Sequence, residues 1–377
     1  MAAAKRHHYI PKFLMRQFSA EPTVGNPRIW RLDKDTGRVS QNSITNEAVI
    51  GHFHRLEEVK GVDVEQELAN IESLCKPAIE KAIAREPFAN EDLELILLFS
   101  VLQQRRTPRS RQWSAELLEH MHRAVTEVEV ATGSGVRDWL KAELGRDPTE
   151  DEVSAKRDEL LLDLREGRIY AEATGDHEIL TMFEVAEPIA RQLRASLSVA
   201  CLHAVRSEFV LSDHPVCAFD PLAPSDRGVS WLSSMASEVT FPISRDACLY
   251  FRPGRPGFGH VDVSRDAVSD INLRSYATAE WSVYGSMQRR LDDMRTAARR
   301  QRAKVSWYSP HKPRFLLYEG QEGAARPHGV QVYEPKGKVV RGFRPKDRPS
   351  PRPVPTKPVT DRLLREWSHL VPDDTAE

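Results

Sequence analysis

The order of predicted elements makes this an α+β protein. Short β elements open the chain, a long helical stretch fills its middle, and β-rich pieces with a further helix return after Glu208. Strands gathered at the two ends of a helical run, instead of alternating with helices, disfavour a doubly wound parallel sheet. No internal repeat is visible. With 377 residues the chain has length for two domains, or for one large domain with an extension. We expect a main domain over 1–310 with a helical insert about 133–175, then an extension over 311–377.

The chain opens MAAAKRHHYIPKFLMRQF. Pro11 fits the first turn of a short helix whose apolar face is Phe13, Leu14 and Phe18. RIWRLD (28–33), KDTG and RVSQNSI read as a β-hairpin, with Gly37 supplying the positive φ of the turn. GHFHRLE (51–57) is expected to add a third strand.

Helices follow. Val64, Leu68, Ile71, Cys75, Ile79 and Ile83 recur at three- and four-residue steps, the period of an amphipathic helix. Glu65 and Glu72 are seven residues apart and share one face of it. NEDLELILLFSVLQQRR (90–106) is apolar on more than one face, so this helix is expected to be central, with Asn90 as N-cap and Pro108 at its end. A third helix is expected over 110–131, and GSGVRD (133–138) reads as a joint. Two helices then follow, broken at Gly145 and Pro148, the second opening at Asp147, Pro148 and Glu150. EILTMFEVAEPIARQLRASLSVA reads as one helix ending near Ala200. EFVLSDHPVCAF gives two β pieces, EVTFPISRDACLYF two more, and residues 264–286 read as a helix opening near Ser264 or Asp266.

The composition sets outer bounds on function. Hydrophobic residues are 40% and charged residues 29%, with a net charge of −1, so the molecule as a whole carries no strong field toward nucleic acid or membrane. The longest apolar run, LILLFSVL, is too short to span a bilayer, and the N-terminus lacks the apolar segment of a signal peptide. Cys75, Cys201, Cys217 and Cys248 show no paired spacing; buried thiols in a reducing, cytoplasmic setting are expected. Charge is unevenly distributed. Residues 326–358 hold nine Lys or Arg against two Asp or Glu, with eight prolines, a composition that cannot build a core. TDRLLREWSHLV (360–371) reads as a short terminal helix. Arg295, Arg299 and Arg302 are spaced to let one helix face track phosphates.

Three motifs carry candidate chemistry. In His7-His8-Tyr9-x-Pro11, adjacent histidines on a strand point to opposite faces, so one of them meets a given site as base, metal ligand or phosphate contact. The structural alternative is a histidine bonded to buried backbone. Ser212-Asp213-His214-Pro215 places a carboxylate at a strand end, either as an acid–base or metal group or as a turn cap. Gln104-Arg105-Arg106-Thr107-Pro108 ends an apolar helix. An arginine there needs phosphate or a carboxylate, and Glu65 and Glu72 are its candidate acidic partners. Walker A, GxGxxG, HExxH, EF-hand and GxSxG patterns are absent from the sequence.

Together these motifs resemble a family. HHYIPKFLMRQF, the W-x-x-D-K-x-T-G hairpin, the paired-glutamate helix, QQRRTPR, FVLSDHPV and TFPIS look like the bacterial domain-of-unknown-function 4238 family over residues 6–286. His214 stands where the family's turn usually has Asn; Ser212, Asp213 and Pro215 match. The resemblance implies that the opening and the SDHP turn belong to one domain. It also implies that His7, His8, Arg16, Glu72, Arg106, Ser212 and Asp213 converge.

The expected function is metal-assisted hydrolysis of a phosphodiester or nucleotide. His7, His8 and Asp213 are its candidate catalytic groups, a divalent metal its cofactor, and Arg16, Arg105, Arg106 and Ser212 its phosphate contacts or structural ties. The alternative is a non-catalytic module binding nucleic acid or protein, its His/Arg/Asp cluster a structural network and its basic tail a partner site. A third possibility, suggested by the type of family alone, is a conflict-system regulator that senses a small nucleotide.

Overall fold

The computed structural model describes residues 6–56, 62–166, 168, 175–219 and 237–302. The basic Pro-rich extension and its expected terminal helix lie outside the described residues. The chain divides into two compact units. One holds the described residues up to Arg111 and those from Ile179 on; the other holds those from Gln112 to Glu178.

The first unit begins with β1 (Arg6–His8) and α1 (Lys12–Arg16). The expected hairpin follows as β2 (Arg28–Asp33) and β3 (Val39–Ser43). Its turn is set by the Asp33 carboxylate, which accepts from the Thr36 amide and hydroxyl at 2.9 Å, and by Gly37 at φ 70°. A 3-10 turn at Ile44–Asn46 leads to β4 (Val49–Gly51). This corrects the expected strand over 51–57: β4 lies earlier and pairs antiparallel with β1 instead of extending the hairpin. His52 takes φ 56°, so the chain turns there.

α2 (Val64–Ala84) is capped by the Asp63 side chain, which accepts from the Gln66 amide. α3 (Asn90–Arg105) begins one residue earlier than an Asn90 cap implies: Ala89 is the N-cap, and Asp92 accepts from its amide at 2.9 Å. α4 spans Pro108–Thr132, followed by α5 (Ser134–Leu144) and α6 (Glu150–Arg165). The joint expected over 133–138 contracts to Gly133 at φ 74°. The break at Gly145, φ 64°, stands as expected, and Thr149 caps α6 in a box with Glu152. Val130, Val136, Leu140, Val153 and Leu164 form the second unit's own core.

α7 (Gly175–Arg194) stops earlier than the helical pattern suggested, and β5 (Leu197–Ala204) follows it. LSVACLHA is buried along nearly its whole length, and such a fully buried strand reads like a helix segment by periodicity. Next come β6 (Leu211–Ser212), β7 (Cys217–Phe219), β8 (Glu238–Pro242), β9 (Ala247–Pro253) and β10 (Gly257–Val263). α8 (Arg265–Thr278), capped by Ser264, ends before Ala279, and β11 (Ser282–Gly285) and α9 (Gln288–Arg302) close the described chain. Residues 264–286 are therefore a helix and a strand, not one helix.

The architecture is α+β. A five-stranded sheet runs β10-β5-β9-β8-β7, with β10 parallel to β5 and the other pairs antiparallel. A four-stranded antiparallel sheet runs β3-β2-β11-β6, joining the N-terminal hairpin to the C-terminal part of the unit. The main core draws on α1, α2, α3, α7, α8 and the five-stranded sheet, and a smaller cluster lies around Leu32, Val283 and Leu291. All four cysteines are buried free thiols. Among the described residues no helix is long and apolar enough to cross a membrane.

Candidate active site at the opening strand

The end of α3 gathers the sequence motifs. Arg106 is buried and donates to Glu72 Oε1 at 2.6 Å and to the His8 carbonyl at 2.7 Å. Gln103 donates to the Tyr9 carbonyl at 3.0 Å. Thr107 Oγ1 lies 2.7 Å from His214 Nδ1. The opening strand and the SDHP turn thus meet at one helix end. Of the two candidate acidic partners of Arg106, Glu72 makes the ion pair; Glu65 serves a histidine.

That histidine is His54, which the sequence reading did not single out. Its Nδ1 lies 2.5 Å from Glu65 Oε1. A carboxylate only accepts, so Nδ1 carries the proton and donates it. The backbone N–H of His54 donates to His7 Nδ1 at 2.7 Å, and the two rings stack with centroids 5.6 Å apart. Burial lowers the His54 pKa to about 4, helped by Arg106 and Arg111 and opposed by Glu65. The ring is therefore neutral at physiological pH, with a bare lone pair on Nε2, which is buried and has no hydrogen-bond partner. The Glu65 carboxyl sits below its ordinary value: burial pushes it up, but the His54 hydrogen bond and nearby positive charges outweigh that. Ligand atoms of His7, His54 and Glu65 all lie within 4.8 Å of one another. Only Glu65, with its side chain 31% exposed, opens this group to solvent. The GHFH stretch was legible as histidine-rich, but read as a strand it gave no reason to aim His54 inward.

The two opening histidines face opposite ways, as a strand requires. His7 is buried and His8 half-buried. Burial and Lys12 lower the His8 pKa to about 4; its ring bonds the Thr45 backbone, and its Nε2 has no partner.

Asp213, a candidate catalytic carboxylate, lies buried with both oxygens bonded to backbone. One oxygen accepts from the Glu280 amide at 2.7 Å, the other from Trp281 and Ser282 at 2.6 and 2.8 Å. Burial raises its pKa, and the three amides oppose that by favouring the anion. Both oxygens are occupied, and through them Asp213 anchors the segment between α8 and β11. Lys34 donates to the Tyr276 and Ala279 carbonyls of the same segment. Ser212 donates to the His214 carbonyl at 2.6 Å and shapes the turn. Arg16 likewise holds a loop, donating to the Pro22 and Val24 carbonyls. Arg105 is half-buried and bonds none of the described residues; burial lowers its pKa. Arg295, read as a phosphate contact, pairs with Asp292 and the Gly37 carbonyl; the side chains of Arg299 and Arg302 lie outside the described residues.

Comparison with known families decides the chain's kinship. The family described as "Protein of unknown function (DUF4238)" matches residues 6–289. The chain belongs to the DUF4238 family. No curated protein and no solved structure matches it. The DUF4238 match takes in β1 through α8 and β11, and with them every residue of the His7–His54–Glu65 group. It ends at the start of α9, so the basic extension lies beyond the DUF4238 region.

Proposed function

We propose that the protein is a hydrolase of phosphodiester or nucleotide bonds in which His54, oriented by Glu65, activates water. The supporting observation is the Glu65–His54 pair, which fixes the tautomer and leaves Nε2 as a neutral base. A carboxylate bonded to the other ring nitrogen is the usual way to hold such a base. Arg106 adds positive charge at the helix end beside it, suited to a phosphoryl group. In a metal-assisted form, His7, His54 and Glu65 would be the residues to hold a divalent ion, which would supply Lewis-acid activation of water.

A second reading has its own support. His54 is only 2% exposed, and Arg106, Asp213 and Ser212 each have their partners already. On that reading the cluster is a clasp tying the opening strand to α2 and α3, and the protein binds a partner without catalysis.

Cleavage of single- and double-stranded DNA and RNA and of nucleoside triphosphates, with Mg²⁺, Mn²⁺ or EDTA, separates the two. The hydrolase reading expects His54→Gln and Glu65→Gln to lose about 10²–10⁴-fold in rate while remaining folded. Activity untouched in both variants overturns it. No cleavage by the wild type, with His54→Gln melting early, establishes the clasp.

A further inference from the structure

A second group of ligand-type side chains lies elsewhere, on the α2-facing side of the five-stranded sheet. β5 and β10 run parallel with Cys201 opposite His260 and His203 opposite Asp262. Residues two apart on a strand share a face, and so do cross-strand partners. The register therefore sets Cys201, His203, His260 and Asp262 at four neighbouring positions of one surface. The ligand atoms of the first three lie within 4.8 Å of one another.

The hydrogen bonds have the pattern of a prepared metal site. His260 Nε2 faces the Glu86 carbonyl at 3.4 Å, and a carbonyl only accepts, so Nε2 carries the proton. His260 Nδ1 is then the bare nitrogen, turned toward His203 Nε2 at 3.0 Å. Two nitrogens about 2.0–2.1 Å from one tetrahedral ion lie about 3.3 Å apart, so little movement is needed. A histidine ligand with its other N–H on a backbone carbonyl is the usual outer-shell arrangement. Cys201 Sγ is fully buried, its thiol directed to the Ala82 carbonyl at 3.4 Å near the end of α2. The nearby Arg85 guanidinium is paired with Asp262, which offsets its repulsion of a cation. His260 also lines a cleft of about 470 Å³ with Arg85, Glu86, Phe88 and Phe258, a path by which an ion enters.

We propose that Cys201, His203 and His260 form a binding site for a thiophilic divalent transition metal, Zn²⁺ by its chemistry. One thiolate and two imidazoles suit a borderline-soft d¹⁰ ion and not Mg²⁺ or Ca²⁺. As the Sγ–metal bond forms, the thiol proton leaves to solvent, and His203 moves its ring proton from Nε2 to Nδ1. Water from the cleft that His260 lines would complete the coordination. The site bridges the one parallel strand pair of this sheet beside the end of α2. It does not depend on the hydrolase reading, and the two groups share no residue.

Titration of the reduced, chelator-treated full chain with Co²⁺ tests it. The expected result is a thiolate-to-cobalt charge-transfer band with tetrahedral d–d bands, saturating at one equivalent and displaced by Zn²⁺. The band is expected to vanish in Cys201→Ser, to weaken in His203→Gln and His260→Gln, and to persist in His54→Gln, since the His7–His54–Glu65 group has no sulfur. A folded wild type without the band overturns the proposal, as does a band that survives Cys201→Ser. If Cys201→Ser does not fold, the half-exposed His260 carries the test: Co²⁺ affinity unchanged in His260→Gln overturns it.

Discussion

Asp213 shows how one carboxylate organises a segment that no regular element holds. It satisfies the amides of Glu280, Trp281 and Ser282, placed between the end of α8 and the start of β11. Asparagine has nearly the same shape but puts an N–H₂ group where one acceptor stood, against N–H donors. Asp213→Asn is therefore expected to lower stability by about 1–3 kcal/mol, the cost of leaving a buried donor unsatisfied. Urea unfolding measures it, and a loss below about 0.5 kcal/mol would contradict the anchoring role. His54 shows the same economy in another form, since one bond to Glu65 decides which nitrogen is bare.

Between elements, the ties are made by charged groups inside apolar surroundings. Glu238 on β8 and Arg274 on α8 are 0% and 1% exposed in their side chains, with Oε2 and Nη1 2.5 Å apart. The Arg274 guanidinium also lies 4.2 Å from the Phe219 ring centre. Desolvating two charges costs free energy that their attraction only partly offsets, but deleting one partner leaves the other buried and unpaired. We expect Glu238→Gln to destabilise by about 3–5 kcal/mol. The double variant Glu238→Leu with Arg274→Met is expected to recover most of that loss. A double-mutant cycle in urea checks both values; a double variant as unstable as the sum of the singles would show that the pair is not acting as a unit.

Across the whole molecule, buried neutral histidines make the fold acid-sensitive. The pKa values of His8, His54 and His203 are each lowered to about 4, burial being the largest cause in every case. Unfolded, each returns to about 6.5. Between pH 6.5 and 4 the unfolded chain binds protons that the folded chain refuses, so stability is full above about pH 6.5 and falls as the pH drops toward 4. For deeply buried His54 the slope is about 1.4 kcal/mol per pH unit; His8, only half-buried, contributes less. Melting followed from pH 8 to 4 should show this fall, shallower in His54→Gln. A flat curve would mean that these rings titrate normally in the folded state.

The α+β class, the hairpin at Gly37, the helices α2 and α3, and a carboxylate partner for the arginine ending α3 were all readable from local pattern. These features depend on residues near in sequence: a turn glycine, an apolar repeat, a charge left on a buried helix. β5 and β10 were not readable, because a strand buried on both faces loses its alternation and because parallel pairing joins segments over fifty residues apart. Both histidine groups were hidden for a related reason, since each is assembled by tertiary packing. His54 gains its carboxylate partner only when α2 brings Glu65 beside it, and Cys201 and His203 meet His260 only through strand register. Asp213 and its SDHP turn were conspicuous as chemistry, yet the backbone folded against Asp213 filled both of its oxygens. Which side chains attract notice is local, but which keep a free lone pair depends on what the rest of the chain packs against them.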